Sequence, residues 1–227
     1  MVYKIVIFDI DGVLFEKPDI PHKEDSVAAS SWDSLFQELD IYDIHERLKH
    51  IYMNKGFRTY MEWTDTACCV LKAKGLNKET FDKLMFGRPL MHNAKDTISK
   101  IKKHGMVTGA VSGSFAALAN RVKEELGIDH TLAQCDLKFD NNGELNDWKL
   151  FATDYNDKVK FVRYIAQLNQ ATLKECVYVG DDVNDVAVFE KVGLAIAFNS
   201  YKERVVNAAD VIIKEKDLSK VLPHLGL

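Results

Sequence analysis

The chain has 227 residues, enough to bury a full core as one domain or as one domain carrying an insertion. With 47% hydrophobic and 28% charged residues it reads as globular, and a formal charge of -4 excludes both the basic field of a nucleic-acid binder and a polybasic membrane patch. No apolar run approaches the roughly 18 residues of a membrane span, and Ile5–Phe8 meets an acid where a leader would be cleaved, so the chain reads as cytoplasmic. In chain order, Lys4–Phe8 is predicted as a buried strand. From about Glu16 to Phe86 no strand is expected. Helical periodicity runs there through Ser34–Leu39, Ile44–Tyr52, Tyr60–Ala73 and Thr80–Phe86. A helix then stops at Lys102-Lys103-His104, capped by Gly105, and the strand Val107–Val111 follows. Asn141-Asn142-Gly143 between two short apolar stretches marks a hairpin. Strands at Cys176–Val179, Leu194–Phe198 and Val211–Ile213 alternate with helices over Val159–Leu168, Asn184–Val192 and about Lys202–Asn207. Continuously apolar strands, each followed by a helix, indicate an α/β fold, a doubly wound parallel sheet covered on both faces. The four cysteines, Cys68, Cys69, Cys135 and Cys176, form no Cys-x-x-Cys pair and read as reduced, apolar thiols.

Four features carry chemistry. Phe8-Asp9-Ile10-Asp11-Gly12 ends the first strand, where ligands of doubly wound sheets bind. Its two acids can divide the work, one attacking or binding a metal while the other handles a proton. Turn chemistry alone also favours Asp and Gly, and Asp-x-Asp-Gly arises by composition in roughly 4% of chains this long. Val179-Gly180-Asp181-Asp182-Val183-Asn184-Asp185 follows another strand. An acid there can serve as a helix cap, but three acids and an Asn crowded at one strand end call for a hard cation such as Mg²⁺. Ser112-Gly113-Ser114 lies between a strand and a helix, where a hydroxyl and free amides can cradle phosphate or Ser can simply cap. Lys158 opens a helix, where a lone Lys is ordinarily a solvated charge.

Together, and in this order, the four motifs resemble the haloacid dehalogenase superfamily of aspartyl-phosphate-forming hydrolases. The resemblance covers 1–15 and about 90–227 and looks closest to the phosphoserine-phosphatase-like branch, through Val-Ser-Gly-Ser-Phe and the stretch from Val177 to Phe198. It implies a Rossmann-like core over 1–15 and 88–227 and a helical cap domain over 16–87. It also implies a Mg²⁺-dependent phosphatase acting on a small phosphorylated metabolite. In that resemblance Asp9 is the nucleophile and Asp11 the acid and base. Ser112, Gly113 and Lys158 hold the phosphoryl oxygens, and Asn184 is near the substrate. Asp9, the carbonyl of Asp11, Asp181 and Asp185 hold or orient the metal. The charges by which the branch reads its amino-acid substrate would align near Pro18 and Ala67, so Arg58 and Glu62 are the expected readers, with Glu16, Asp19 and Arg88 as further charges nearby. Trp32 and Trp63 are expected mainly as packing between cap helices. A phosphomutase of the same superfamily, a phosphate-accepting receiver domain and a non-catalytic phosphate binder remain open. A dehalogenase needs neither the second acid nor the metal.

Overall fold

A computed structural model describes residues 3–22, 25–151 and 158–227. Seven strands form one sheet in the order β6-β5-β4-β1-β7-β8-β9. They are β1 (Ile5–Asp9), β4 (Val107–Phe115), β5 (His130–Phe139), β6 (Leu145–Leu150), β7 (Cys176–Gly180), β8 (Leu194–Phe198) and β9 (Val211–Ile213). All neighbours run parallel except β5 and β6, the hairpin read from Asn141-Asn142-Gly143, where Gly143 takes φ 79°. Every residue of β1 is buried because the sheet is covered on both sides. Val6 and Phe8 face one apolar cluster, and Ile5 and Ile7 face the other, beneath α7 (Lys158–Leu168) and α8 (Val186–Phe189). The chain crosses from β4 on one side of β1 to β7 on the other. That reversal opens a crevice at the carboxyl end of β1, where Asp9 stands.

Helices α1 (Ser31–Glu38), α2 (Tyr42–Met53), α3 (Tyr60–Ala73) and α4 (Lys78–Phe86) form the helical cap inserted after β1, and α5 (Ala94–Lys103) leads from it into β4. The first, third and fourth start on side-chain caps from Ser30, Thr59 and Asn77, each worth about 1 kcal/mol. The expectation of no strand between about Glu16 and Phe86 is corrected by β2 (Asp19–His22) and β3 (Asp25–Ala28), an antiparallel pair separate from the main sheet. Strands of four residues leave too little periodicity to register against a helical background. The long helix expected over Asn184–Val192 is likewise broken into a 3-10 turn at Val183–Asp185 and the short α8.

The cap joins the core through a shared apolar cluster. Trp32 and Phe81 pack on Phe115, with ring centroids 4.4 and 5.3 Å away. On α3, Thr64 accepts a hydrogen bond from Gln134 Nε2 on β5 (2.9 Å), and Asp65 accepts one from Trp148 Nε1 on β6 (2.8 Å). Buried Arg121, on α6 (Ala116–Leu126), fastens the connection that returns from α4 to the core. Its Nη1 donates to the carbonyls of Met85 (2.6 Å) and Arg88 (3.1 Å), and its guanidinium lies 4.4 Å over the Phe15 ring. Arg121→Met keeps the stem and deletes these charged hydrogen bonds, so it is expected to cost about 2–4 kcal/mol in urea unfolding. A change below about 0.5 kcal/mol would show that the return connection is held by packing alone.

Candidate active site

The site is a cluster of carboxylates gathered at two adjacent strand ends. Asp9 ends β1, Asp181 follows β7, and Asp185 closes the 3-10 turn behind it. One oxygen from each lies within 4.8 Å of the others. Gly180 permits the crowding, because a Cβ there would lie 2.5 Å from Cγ of Asp185. Gly12, at φ 87°, brings the β1 loop so close to Asp181 that a Cβ would strike its carboxylate. These are steric demands of the site, beyond the turn chemistry that the sequence suggested.

Asp185 is wholly buried and fully partnered. It accepts from Lys158 Nζ (2.6 Å), Tyr178 OH (2.8 Å) and the amides of Asp181 and Asp182 (3.0 Å each). Lys158 Nζ also donates to Asp9 (2.8 Å), and its side chain is 5% exposed. Burial opposes the ammonium charge, but the Asp185 and Asp9 carboxylates outweigh it and hold Lys158 above its ordinary range. Burial pushes the Asp9 carboxyl well up; Lys158 opposes that, while Asp185 and Asp181 add to it. Asp181 is pushed up to about 6, by burial first, although the Lys17 ammonium pulls it back. Lys17 pairs with Asp181 and lies 3.8 Å from Asp182, which Lys202 reaches at 2.6 Å.

The residues fit a hard divalent cation. All donors are oxygens, and Oδ1 of Asp181 is buried with no donor against it among the described residues. Asp11 stands apart. Its Oδ1 accepts from Arg88 Nη1 (2.8 Å), and its Oδ2 from Ser31 Oγ (2.6 Å) and the Ser31 amide (3.3 Å). The motif containing Ser112 departs from the helix-start reading. β4 runs on to Phe115 with an irregular register after Ser112, and Phe115 precedes α6 without a side-chain cap. Ser112 Oγ instead accepts from the Ser114 amide (3.0 Å).

A cavity of about 540 Å³ rises from this floor into the cap. Asp9, Asp11, Ser112, Gly113, Lys158 and Asn184 line it, so the structure brings these expected site residues to one place. It does not bring Arg58 and Glu62. The Arg58 side chain is 90% exposed and pairs with Glu62 one helical turn on, and both lie outside the lining. Glu16, Asp19 and Arg88 also lie outside it. Trp32 and Trp63, expected mainly as packing, line the cavity as well. Tyr60 stacks on Trp63 at 5.0 Å, and Trp32 Nε1 donates to the Gly113 carbonyl (3.4 Å). Sequence reasoning missed Lys17, Lys202 and Gln134. They carry no motif, and only the fold brings them to the strand ends.

A family model described as haloacid dehalogenase-like hydrolase matches residues 3–193, most of the chain. The chain belongs to that family. It is 29% identical over 217 residues to a phosphoserine phosphatase of Archaeoglobus fulgidus, covering 95% of this chain and 58% of that one. Against a phosphoserine phosphatase of Methanocaldococcus jannaschii it is 35% identical over 133 residues, covering 58% and 62%. The matches thus span about three-fifths of those relatives' lengths. A solved phospho-aspartyl intermediate analogue of phosphoserine phosphatase superposes with TM-score 0.79 at 26% identity, covering 99% of this chain and 100% of that one. Within this family member, no helix among the described residues is long and apolar enough to cross a membrane.

The electrostatics give a direct test. If Asp185 only adds repulsion to the acid cluster, Asp185→Ala stabilises the metal-free protein. If it balances the buried Lys158, the same change costs about 3–5 kcal/mol in urea unfolding. Loss of stability is the expected outcome.

Proposed function

We propose that this chain is a Mg²⁺-dependent phosphatase that hydrolyses a small phosphate monoester through an aspartyl-phosphate on Asp9. One observation carries the reading. Three buried carboxylates converge with Lys158, Asp9 and Lys158 lining the cavity and Asp181 and Asp185 lying beneath them, while a second acid of the β1 loop, Asp11, is held clear of the three. Asp9, Asp181 and Asp185 are the residues that would hold or orient the ion, with the main-chain carbonyl of Asp11. Once bound, Mg²⁺ supplies positive charge against the phosphoryl oxygens and keeps Asp9 ionised despite its burial. The remaining steps belong to the chain. Lys158, the Ser112 hydroxyl and the Gly113 amide hold the phosphoryl oxygens, so the transfer needs little beyond positioning and charge. An Asp9 oxygen attacks phosphorus as the ester bond breaks, and Asp11 gives its proton to the departing oxygen. Asp11 then takes a proton from water as that water displaces Asp9.

Residues 16–87 act as the cap domain over a core of 1–15 and 88–227; of the core, 1–2 and 152–157 lie outside the described residues, as do 23–24 of the cap. The cap walls off the reacting group with Trp32, Tyr60 and Trp63 and thereby excludes water. Small phosphomonoesters such as phosphoserine suit the relatives' names, and Asn184 stands among the core residues facing such a substrate.

A panel of phosphomonoesters tests the reading. Purified protein is expected to release phosphate from at least one alkyl ester with Mg²⁺, to stop in chelator and to recover when Mg²⁺ returns. Release that persists in chelator, with trace metal removed, would overturn it. The Mg²⁺ needed for half-maximal binding, followed calorimetrically, is expected to rise as pH falls through about 6, because Asp181 protonates there in the metal-free protein and a protonated carboxyl is a poor ligand. A pH-independent affinity between 5 and 7.5 would place the ion elsewhere.

A further inference from the structure

Arg88 was an unplaced charge in the sequence and is buried in the structure, away from the cavity lining. It sits on the connection from α4 back to the core, where Arg121 holds its carbonyl. Its guanidinium reaches two ways. Nη1 donates to Oδ1 of Asp11, and Nη2 donates to the hydroxyl of Ser34 on α1 (2.8 Å). The other oxygen of Asp11 is taken by Ser31, at the start of the same helix. The carboxylate is thus bracketed by two arms, both of which end on cap helix α1.

The two arms are chemically unequal. A guanidinium only donates and keeps its charge in proteins, so it stabilises negative charge on the oxygen it faces and makes Oδ1 the less basic of the two. Oδ2 meets no charged donor: the Ser31 amide donates to it at 3.3 Å, and the Ser31 hydroxyl donates or accepts according to its rotation and so can make way for a proton. We propose that Arg88 and Ser31 are positioning residues that reserve Oδ1 of Asp11 as a fixed acceptor and present Oδ2 as the oxygen that handles the proton.

This rests on the phosphatase reading above. In the first step the Oδ2 proton moves to the leaving oxygen while the phosphorus–oxygen ester bond breaks and the Asp9–phosphorus bond forms. In the second, water loses a proton to Oδ2 as its oxygen bonds phosphorus and the Asp9–phosphorus bond breaks. Ser31 Oγ donates to Oδ2 when it is bare and turns to let it carry the proton. Because Ser31 and Ser34 lie in the cap, the acid is correctly aimed only when α1 is seated on the core.

The test uses leaving groups of different basicity. An alkoxide needs a proton as it departs, whereas p-nitrophenolate does not. The value of kcat/KM reports steps up to phosphoenzyme formation and so omits the later water attack. Wild type, Arg88→Met, Arg88→Lys and Ser31→Ala are compared on p-nitrophenyl phosphate and on the best alkyl ester among phosphoserine, phosphoethanolamine and glycerol 2-phosphate. Arg88→Met is expected to lose about 100-fold or more on the alkyl ester and less than about 5-fold on the aryl ester, the size of a lost general acid. Arg88→Lys should recover about 10-fold of that loss, and Ser31→Ala should show the same selectivity at about 10-fold. Equal losses on both esters, or none on either, would overturn the inference and leave the phosphatase reading intact. If Arg88→Met fails to fold, Ser31→Ala decides. A wild type inactive on every ester would overturn both.

Discussion

Everything at this site depends on Lys158 lying between Asp9 and Asp185. Four acids (Asp9, Asp181, Asp182 and Asp185) crowd two adjacent strand ends, and burying them uncompensated would cost far more than a domain's net stability. Lys158 bridges the deepest two, while Lys17 and Lys202 serve the outer two. The balance still leaves one acid more than bases, with one buried oxygen of Asp181 lacking a donor. Such a site is stable enough to fold and has charge in reserve for a cation. Removing either partner of the central bridge strands a buried charge, so replacing the lysine by a smaller neutral residue is expected to destabilise the site.

Around this floor the fold keeps two kinds of acid apart. Asp9 and Asp11 are two residues from each other, yet they face different partners, Asp9 the lysine and the acids of the β7 loop, Asp11 an arginine and a serine. Separation of this sort is what allows one carboxylate to serve as a nucleophile and its neighbour to manage protons. The cap contributes directly to that division, since α1 supplies Ser31 while Trp32, one residue on, turns into the cavity beside Trp63. The cavity wall above the acids is built from Trp32, Tyr60 and Trp63 together with the charged or polar Asp33, His45 and Lys49, whereas Arg58 and Glu62 stay outside it.

The sheet was legible because its strands are unbroken apolar runs, and β8 and β9 lie where those runs predict. The two acid motifs were legible because the residues that enforce them, Gly12 and Gly180, are local in sequence to the acids they admit. The β2–β3 pair was not, since four residues give too few turns of any period. Nor were the partners of Asp11 and Asp181. Arg88 and Lys17 are ordinary charges in the sequence, 77 and 164 residues from the acids they meet, and only the closed topology brings them in. Arg58 and Glu62 misled for the converse reason. Their spacing of four suits an ion pair as readily as a substrate clamp, and Arg58, exposed just before the Thr59 cap of α3, pairs with Glu62 in the first turn instead of entering the cavity.

The central claim is that Asp9 becomes covalently phosphorylated. Acid-quenching the protein during turnover of a phosphomonoester, reducing the acyl phosphate with borohydride and mapping peptides by mass spectrometry examines that bond itself. The account predicts homoserine at position 9, dependent on both substrate and Mg²⁺. Phosphate release at the full rate with no reduced residue at position 9, or with reduction at another acid, would contradict it.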